Sequence, residues 1–140
     1  MKTVEVYVDG SYCKTKKEYS SGVVMLYNGE VIKKCGFKGN EPSLISMWNV
    51  AGEIKAAEYA MLWALRMGFK KLILYYDYMG IEKWCSGEWK TKKEGTQNYA
   101  YVYGKVKPKL EIEFVKVKAH SGNIYNDLAD RLAKDALGLR

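Results

Sequence analysis

Cysteine and histidine are scarce in this sequence. It has 3 cysteines and 1 histidine in 140 residues, and no two cysteines form a C-x-x-C pair. An odd number of cysteines is typical of free thiols in a reducing compartment, and it argues against a disulfide framework or a zinc site. A bound metal would therefore depend on oxygen ligands, which favour hard cations such as Mg²⁺ or Mn²⁺.

The sequence also lacks long apolar runs and an N-terminal targeting pattern. No run approaches the ~20 apolar residues that a membrane-spanning helix needs. The acidic residues Glu5 and Asp9 near the N-terminus are not typical of a signal or transit peptide. We therefore expect a cytoplasmic location.

The composition that remains is that of one folded, basic domain. Hydrophobic residues make up 48% and charged residues 28%, which excludes a disordered or fibrous chain. The length fits a single domain spanning residues 1–140. Because 23 basic residues outnumber 16 acidic ones, the net charge is +7, and this favours a polyanionic partner.

Hydrophobic periodicity predicts an α/β fold. Strands are predicted at 3–8, 22–27, 31–37, 72–76 and 111–117, and the Asn28-Gly29 pair predicts a hairpin turn between the second and third. Helices are predicted at 50–67, 80–85 and 98–106 and at the C-terminus; the first is apolar on two sides and therefore buried. The order β-β-β-α-β-α-β-α, with one more short helix before the last strand, predicts a mixed five-stranded sheet with helices on its faces.

Four of the 16 acidic residues adjoin elements predicted to be buried. Asp9 and Asp77 each follow a strand, at the edge where open α/β sheets bind ligands. Glu53 lies near the start of the buried helix, and Asp130 lies beside the apolar stripe of the last one. Taken singly, Asp9 can be explained by a turn and Glu53 by a favourable interaction with the helix dipole. A cluster of carboxylates instead implies a divalent cation and phosphoryl-transfer chemistry. By contrast, we expect Glu58 on a solvated helix face.

Four segments in order resemble the type I ribonuclease H family over nearly the whole chain. No one of the four segments is specific alone, but all four in this order are specific. They are YVDGS at 7–11, AGEIKAAEYAML at 51–62, LYYD at 74–77 and VKAHSGNIYNDLADRLAK at 117–134. The stretch at 80–99 is similar to the subgroup that often carries an N-terminal hybrid-binding domain, which we do not expect here.

The resemblance implies a ribonuclease H-like fold and an endonuclease that hydrolyses the RNA strand of RNA/DNA hybrids. It assigns the metal-binding carboxylates to Asp9, Glu53, Asp77 and Asp130, with Asp9 bridging two Mg²⁺ ions (Mn²⁺ as a possible substitute) and 5′-phosphate and 3′-hydroxyl ends as products. Asp127 competes with Asp130 for the fourth position, but the family pattern places the ligand just before the R-L-A triplet.

The resemblance also implies several substrate-handling residues. His120 matches a loop histidine that assists proton handling or product departure. The residues expected to contact substrate are Asn49, Trp84, Trp89, Asn98, Lys90 and Lys92. The chain departs from the family pattern at Val50, Tyr78 and Met79, which affects base-edge contacts rather than the chemistry.

Two other functions remain open from the sequence. A hybrid-binding module without catalysis would have little reason to keep a cluster of like charges. A related nuclease acting on DNA would usually have three acids and no H-S-G-N loop. We expect a monomer with no membrane association and no obligate protein partner.

Overall fold

The computed structural model describes residues 2–118 and 122–138 and contains one five-stranded mixed sheet in the order β3-β2-β1-β4-β5. The predicted mixed sheet is therefore confirmed. The elements in chain order are β1 Thr3–Cys13, β2 Glu18–Tyr27, β3 Glu30–Gly39, α1 Pro42–Ile45, α2 Asn49–Arg66, β4 Lys71–Tyr76, α3 Gly80–Ser86, α4 Glu94–Val106, β5 Glu111–Lys116 and α5 Ile124–Ala136.

The central strand β1 has different lengths of pairing on its two sides. It pairs antiparallel with β2 as far as Cys13 opposite Glu18, whereas its parallel pairing with β4 ends at Tyr7 opposite Tyr75. Asp9 is therefore inside β1 rather than at its end, and the sequence expectation was wrong on this point. The strand continues because the antiparallel ribbon supplies backbone partners beyond the point where β4 ends.

Helices cover both faces of the sheet. Alternate residues of β1, such as Val4 and Val6, are buried in the main core with Ile54 and Met61 of α2. On the opposite face, Tyr7 packs in a smaller cluster with Ala129 of α5. The site-bearing helices thus lie on different sides of the same central strand.

Two boundaries differ from the sequence prediction in informative ways. α4 begins at Glu94, four residues before the predicted start at 98, because the Thr96 hydroxyl accepts from the Lys93 N–H and donates to its carbonyl. The first turn of α4 consists of small and polar residues. Although part of this turn is buried, the sequence therefore shows no periodic apolar pattern there. In the predicted loop before α2, Pro42 starts the short helix α1, as proline at a first helical position allows.

Within residues 2–118 and 122–138, no helix combines the length and apolarity needed to span a bilayer.

Candidate active site

The β1–β4 register brings Asp9 and Asp77 to the same edge of the sheet. The last pair in this register is Tyr7 with Tyr75, and each aspartate lies two residues beyond its member of that pair. Glu53 reaches this edge from α2, where its carboxylate accepts hydrogen bonds from the backbone N–H of Asp77, at 2.7 Å, and of Tyr78, at 3.2 Å. Three elements thus contribute a carboxylate to one location.

Two glycines let the helices approach the sheet closely enough for this. A Cβ on Gly52 of α2 would collide with the Ser20 carbonyl of β2 and lie 3.0 Å from the Cα of Gly10. Gly22 is paired with Asp9 across β1 and β2, and a Cβ there would collide with the carbonyl of Ala129 in α5. The residue after Gly52 is Glu53 and the residue after Ala129 is Asp130, so both close contacts set the position of a carboxylate.

The carboxylates of Asp9 and Glu53 are electrostatically unfavourable in their charged form. Burial, aided by the neighbouring Asp130 and Asp77 and opposed by the Gly10 N–H, raises the pKa of Asp9 to about 7. Burial, opposed by the Asp77 N–H and aided by the charge of Asp9, raises the pKa of Glu53 to about 8. Asp9 therefore interacts electrostatically with each of the other three carboxylates.

Asp130 and Asp127 have different surroundings on α5. The Asp130 carboxylate lies 3.0 Å from the Lys134 ammonium, and it is close enough to Asp9 for the two side chains to share a hydrogen bond. Asp127 is exposed in the first turn of the helix, where a negative charge favours the helix dipole. The geometry therefore groups Asp130, rather than Asp127, with the other carboxylates.

The donor set fits a hard divalent cation by its chemistry, since all four side chains offer carboxylate oxygens. In the described parts of the chain, no three acidic, cysteine or histidine side chains converge as a ready coordination sphere. The lack of such a convergence agrees with the contacts above, because Lys134 holds Asp130 and two backbone amides hold Glu53. A cation would have to draw these carboxylates together by relieving their repulsion.

Two grooves flank Trp48, and it lines both of them. The Asp130 groove, of about 430 Å³, is lined by Gly10, Ser11, Tyr12, Lys14, Trp48, Asp130 and Lys134. The Trp84 groove, of about 340 Å³, is lined by Ser46, Met47, Trp48, Val50, Tyr78, Trp84, Lys90, Lys92, Lys93 and Thr96. One groove thus adjoins the carboxylates, and the other combines aromatic side chains with lysines.

The Trp84 groove is lined by three of the six substrate-contact residues expected from the sequence. Trp84, Lys90 and Lys92 line it directly. Trp89 supports it from behind, with its ring centroid 5.9 Å from that of Trp84 and 6.0 Å from that of Tyr78. The three rings form one aromatic cluster, in which Trp89 packs edge-to-face on both other rings and Tyr78 is tilted against Trp84.

The remaining predicted residues lie elsewhere or outside the description. The Asn98 amide donates to the Glu58 carboxylate at 3.1 Å and lines a separate cavity of about 340 Å³. Asn49 begins α2, and the description includes its backbone and not its side chain. His120 lies outside the described residues.

One expectation about a surface acid was wrong. Glu58 is only 6% exposed, because it is enclosed between Lys55, whose ammonium lies 3.1 Å away, and the amide of Asn98. A paired carboxylate can be buried at moderate cost, which an isolated i, i+3 charge pattern does not reveal. A further cavity of about 460 Å³, on the outer side of α2 beside Glu58, includes none of the four carboxylates.

Sequence reasoning missed Trp48. It is 50% exposed, its ring lies 4.9 Å from that of Tyr12, and the ammonium of Lys14 lies 5.7 Å from its centroid. A signal was available, because Trp is an unusual residue immediately before a helix, where a short polar side chain or glycine is favoured.

Comparisons with known proteins agree on one family and one fold. A family model described as RNase H matches residues 1–138. Ribonuclease H of Caldanaerobacter subterraneus subsp. tengcongensis is 30% identical over 139 residues, which cover 96% of this chain and 90% of that protein. The crystal structure of RNase H1 from Halobacterium salinarum has a TM-score of 0.80 at 21% identity and covers 97% of this chain and 98% of its own. LC11-RNase H1, solved in complex with an RNA/DNA hybrid, has a TM-score of 0.74 at 16% identity and covers 96% and 99%.

Proposed function

The chain belongs to the ribonuclease H family, and we propose that Asp9, Glu53, Asp77 and Asp130 are the catalytic carboxylates of this enzyme. It is an endonuclease that degrades the RNA strand of RNA/DNA hybrids. The observation that supports the proposed site most strongly is the convergence of four carboxylates from β1, α2, the end of β4 and α5, whose interactions add to burial in raising the pKa of Asp9 and Glu53.

Enzymes of this family generally depend on Mg²⁺, and the four carboxylates would hold two such ions, with Mn²⁺ as a substitute. When bound, the ions supply an activated water and neutralise charge at the leaving oxygen, so that cleavage leaves 5′-phosphate and 3′-hydroxyl ends. Asp9 would be central to holding the ions, because both Asp77 and Asp130 act on the pKa of its carboxyl group.

The protein's own groups position the reacting parts. Two backbone amides orient the Glu53 carboxylate, so it needs little rearrangement when the site fills. His120 is proposed, on the family resemblance, to move a proton or assist product departure.

The Trp84 groove is the proposed binding site for the DNA strand. The faces of Trp84 and Trp89 suit a sugar without a 2′-hydroxyl, and Lys90 and Lys92 suit its phosphates. Asn49 and Asn98 are proposed contacts on the resemblance alone, and Asn98 would have to exchange its bond to Glu58 for one to phosphate. Residues 1–140 are proposed to act as one monomeric domain.

A binding module without catalysis is the weaker alternative. Such a module would retain Glu53, only 4% exposed, among like charges with no chemical use for them. A single assay distinguishes the nuclease from the binding module.

The assay follows cleavage of a labelled RNA/DNA hybrid in Mg²⁺, with EDTA and Asp9→Asn as controls. We expect cleavage of the RNA strand only, and none in either control. Binding without cleavage would favour the binding module, and equal cleavage of duplex DNA would contradict hybrid specificity.

A further inference from the structure

Trp48 has an unfavourable backbone conformation for its residue type. Its φ of 56° and ψ of −137° belong to a region that glycine occupies readily and a side chain with a Cβ does not. The conformation is fixed on both sides, because the Trp48 N–H donates to the Ile45 carbonyl and the Trp48 carbonyl accepts from the Ala51 N–H. The position lies in the short connection between α1 and α2.

Trp48 is also a poor choice for the helix start. It is the residue before α2 and its side chain caps no backbone N–H, whereas glycine would adopt the positive φ without a steric penalty and asparagine would offer a capping oxygen. Half of the indole is nevertheless exposed. A residue with an unfavourable φ and no capping side chain at the edge of an active site is typical of a functional constraint.

The surroundings of Trp48 identify what it contacts. It forms the common wall of the Asp130 groove, which adjoins the carboxylates, and the Trp84 groove, which holds aromatic side chains and lysines. If the RNA strand lies at the carboxylates and the DNA strand lies in the Trp84 groove, as proposed above, the wall between the grooves lies between the two strands of the duplex. An exposed aromatic face there can pack on a sugar, and it packs best on one without a 2′-hydroxyl.

We propose that Trp48 is a substrate-contact residue that packs its indole against a deoxyribose of the DNA strand and thereby contributes to the preference for RNA/DNA hybrids over duplex RNA. This rests on the proposed placement of the RNA strand at the carboxylates. Tyr12 and Lys14 hold the ring in place, by an edge contact and a cation–π contact respectively.

The test measures dissociation constants of an RNA/DNA hybrid and an RNA/RNA duplex of the same sequence, in an Asp9→Asn background that does not cleave. We expect Trp48→Ala to weaken hybrid binding about tenfold, within the range for an aromatic–nucleotide contact. It should weaken RNA/RNA binding less, so the ratio of the two constants falls toward one. Trp48→Phe should restore most of both the affinity and the ratio.

A second variant separates contact from structure. Trp48→Gly relieves the strained φ, so its melting temperature should equal or exceed that of the Asp9→Asn parent while its hybrid binding is as weak as that of Trp48→Ala. Tyr101→Ala, which removes a 64% exposed aromatic from the outer surface of α4, is the matched control and should leave both constants unchanged.

Three results would overturn the proposal. They are unchanged hybrid binding in Trp48→Ala, an equal loss for both duplexes, or a loss in Trp48→Gly that accompanies a lower melting temperature. The cleavage assay on the wild-type chain is independent: a wild type that binds and does not cleave contradicts the catalytic proposal and leaves the binding ratios of the Trp48 variants interpretable.

Discussion

The Asp130 carboxylate has two competing partners at the residue scale. The ammonium of Lys134 lies 3.0 Å from it, one helical turn along α5, while the same carboxylate is proposed to hold a cation beside Asp9. An exposed i, i+4 pair is weak, typically about 0.3–0.5 kcal/mol, so a divalent ion can displace the lysine. Lys134 also repels an incoming cation.

We therefore expect Lys134→Gln to bind Mg²⁺ more tightly. The variant frees Asp130 and removes one positive charge, so thermal stabilisation by Mg²⁺ should reach half its maximum at a concentration about two- to threefold lower. The measurement is a melting curve at increasing Mg²⁺ without substrate. Lys105→Gln removes the same charge on α4 and should leave the midpoint unchanged; an equal shift in both variants would assign the effect to net charge alone.

The choice between the two aspartates of α5 is tested by identical substitutions. Asp130→Asn should reduce cleavage of the hybrid by at least about a thousandfold, as expected when one member of a cooperating catalytic group is lost. Asp127→Asn should retain activity within a few-fold and lose only a small helix-dipole contribution to stability, about 0.5 kcal/mol. The opposite pattern of activities would identify Asp127 as the ligand.

The site residues were predictable from the sequence to different degrees. Asp9 and Asp77 adjoin predicted strands, so their convergence follows from the rule that parallel strands present their C-terminal ends at one edge. The burial of Glu58 depends on a partner 40 positions away, Asn98, and no local pattern encodes such a contact. The strain at Trp48 is a property of backbone geometry, which the sequence does not reveal.

At the element scale, α2 is positioned by the absence of a side chain at Gly52. A methyl group there would meet the backbone of Ser20 and Gly10, and backbone atoms cannot rotate away as a flexible side chain can. Because Glu53 is the next residue, any retreat of the helix also moves a carboxylate away from Asp9.

Gly52→Ala is therefore expected to destabilise the protein by roughly 1–3 kcal/mol, as overpacking does, and to reduce activity. Gly104→Ala is the matched control, because that glycine is also inside a helix but has no atom within 4 Å of the added methyl. It should stabilise the protein by about 0.5–1 kcal/mol. Urea unfolding of both variants shows whether each substitution lowers or raises the free energy of unfolding. A neutral or stabilising Gly52→Ala would contradict the close approach of α2 to the sheet.

The elements themselves were more predictable than their ends. The two-sided apolar pattern located α2 within one residue at each end, and the Asn28-Gly29 turn has the two positive φ values, 53° and 80°, that its sequence predicts. The continuation of β1 to Cys13 depends on pairing with β2, and the early start of α4 depends on Thr96. Tertiary partners decide such boundaries, so periodicity cannot locate them.

At the scale of the whole molecule, a chain of net charge +7 contains an acidic centre of opposite sign. Lysines line both grooves beside that centre, so the outer surface attracts a polyanion while the carboxylates repel it until cations are bound. The same carboxylates repel each other in the folded state and separate in the unfolded chain. Folding and metal binding are therefore linked.

This linkage predicts that the metal-free protein loses stability as the pH rises. Folded Asp9 and Glu53 keep their protons up to a pKa of about 7 and about 8, whereas in the unfolded chain both lose them near pH 4. Between these limits the unfolded state binds fewer protons than the folded state, so the free energy of unfolding falls with increasing pH. With Glu53 almost fully buried, the loss should be on the order of 2 kcal/mol or more.

Urea unfolding at pH 5 and pH 8.5, in EDTA, measures this difference for the wild type and for Glu53→Gln. The amide of the variant still accepts from the N–H groups of Asp77 and Tyr78 but carries no charge, so its stability should fall less over the same interval. Millimolar Mg²⁺ should restore the wild type at pH 8.5 and have a smaller effect on the variant, because the cation neutralises a charge that the variant lacks. If the free energy of unfolding fell equally with pH in both proteins, the charged Glu53 carboxylate would not destabilise the folded state. The proposed link between folding and the metal site would then fail.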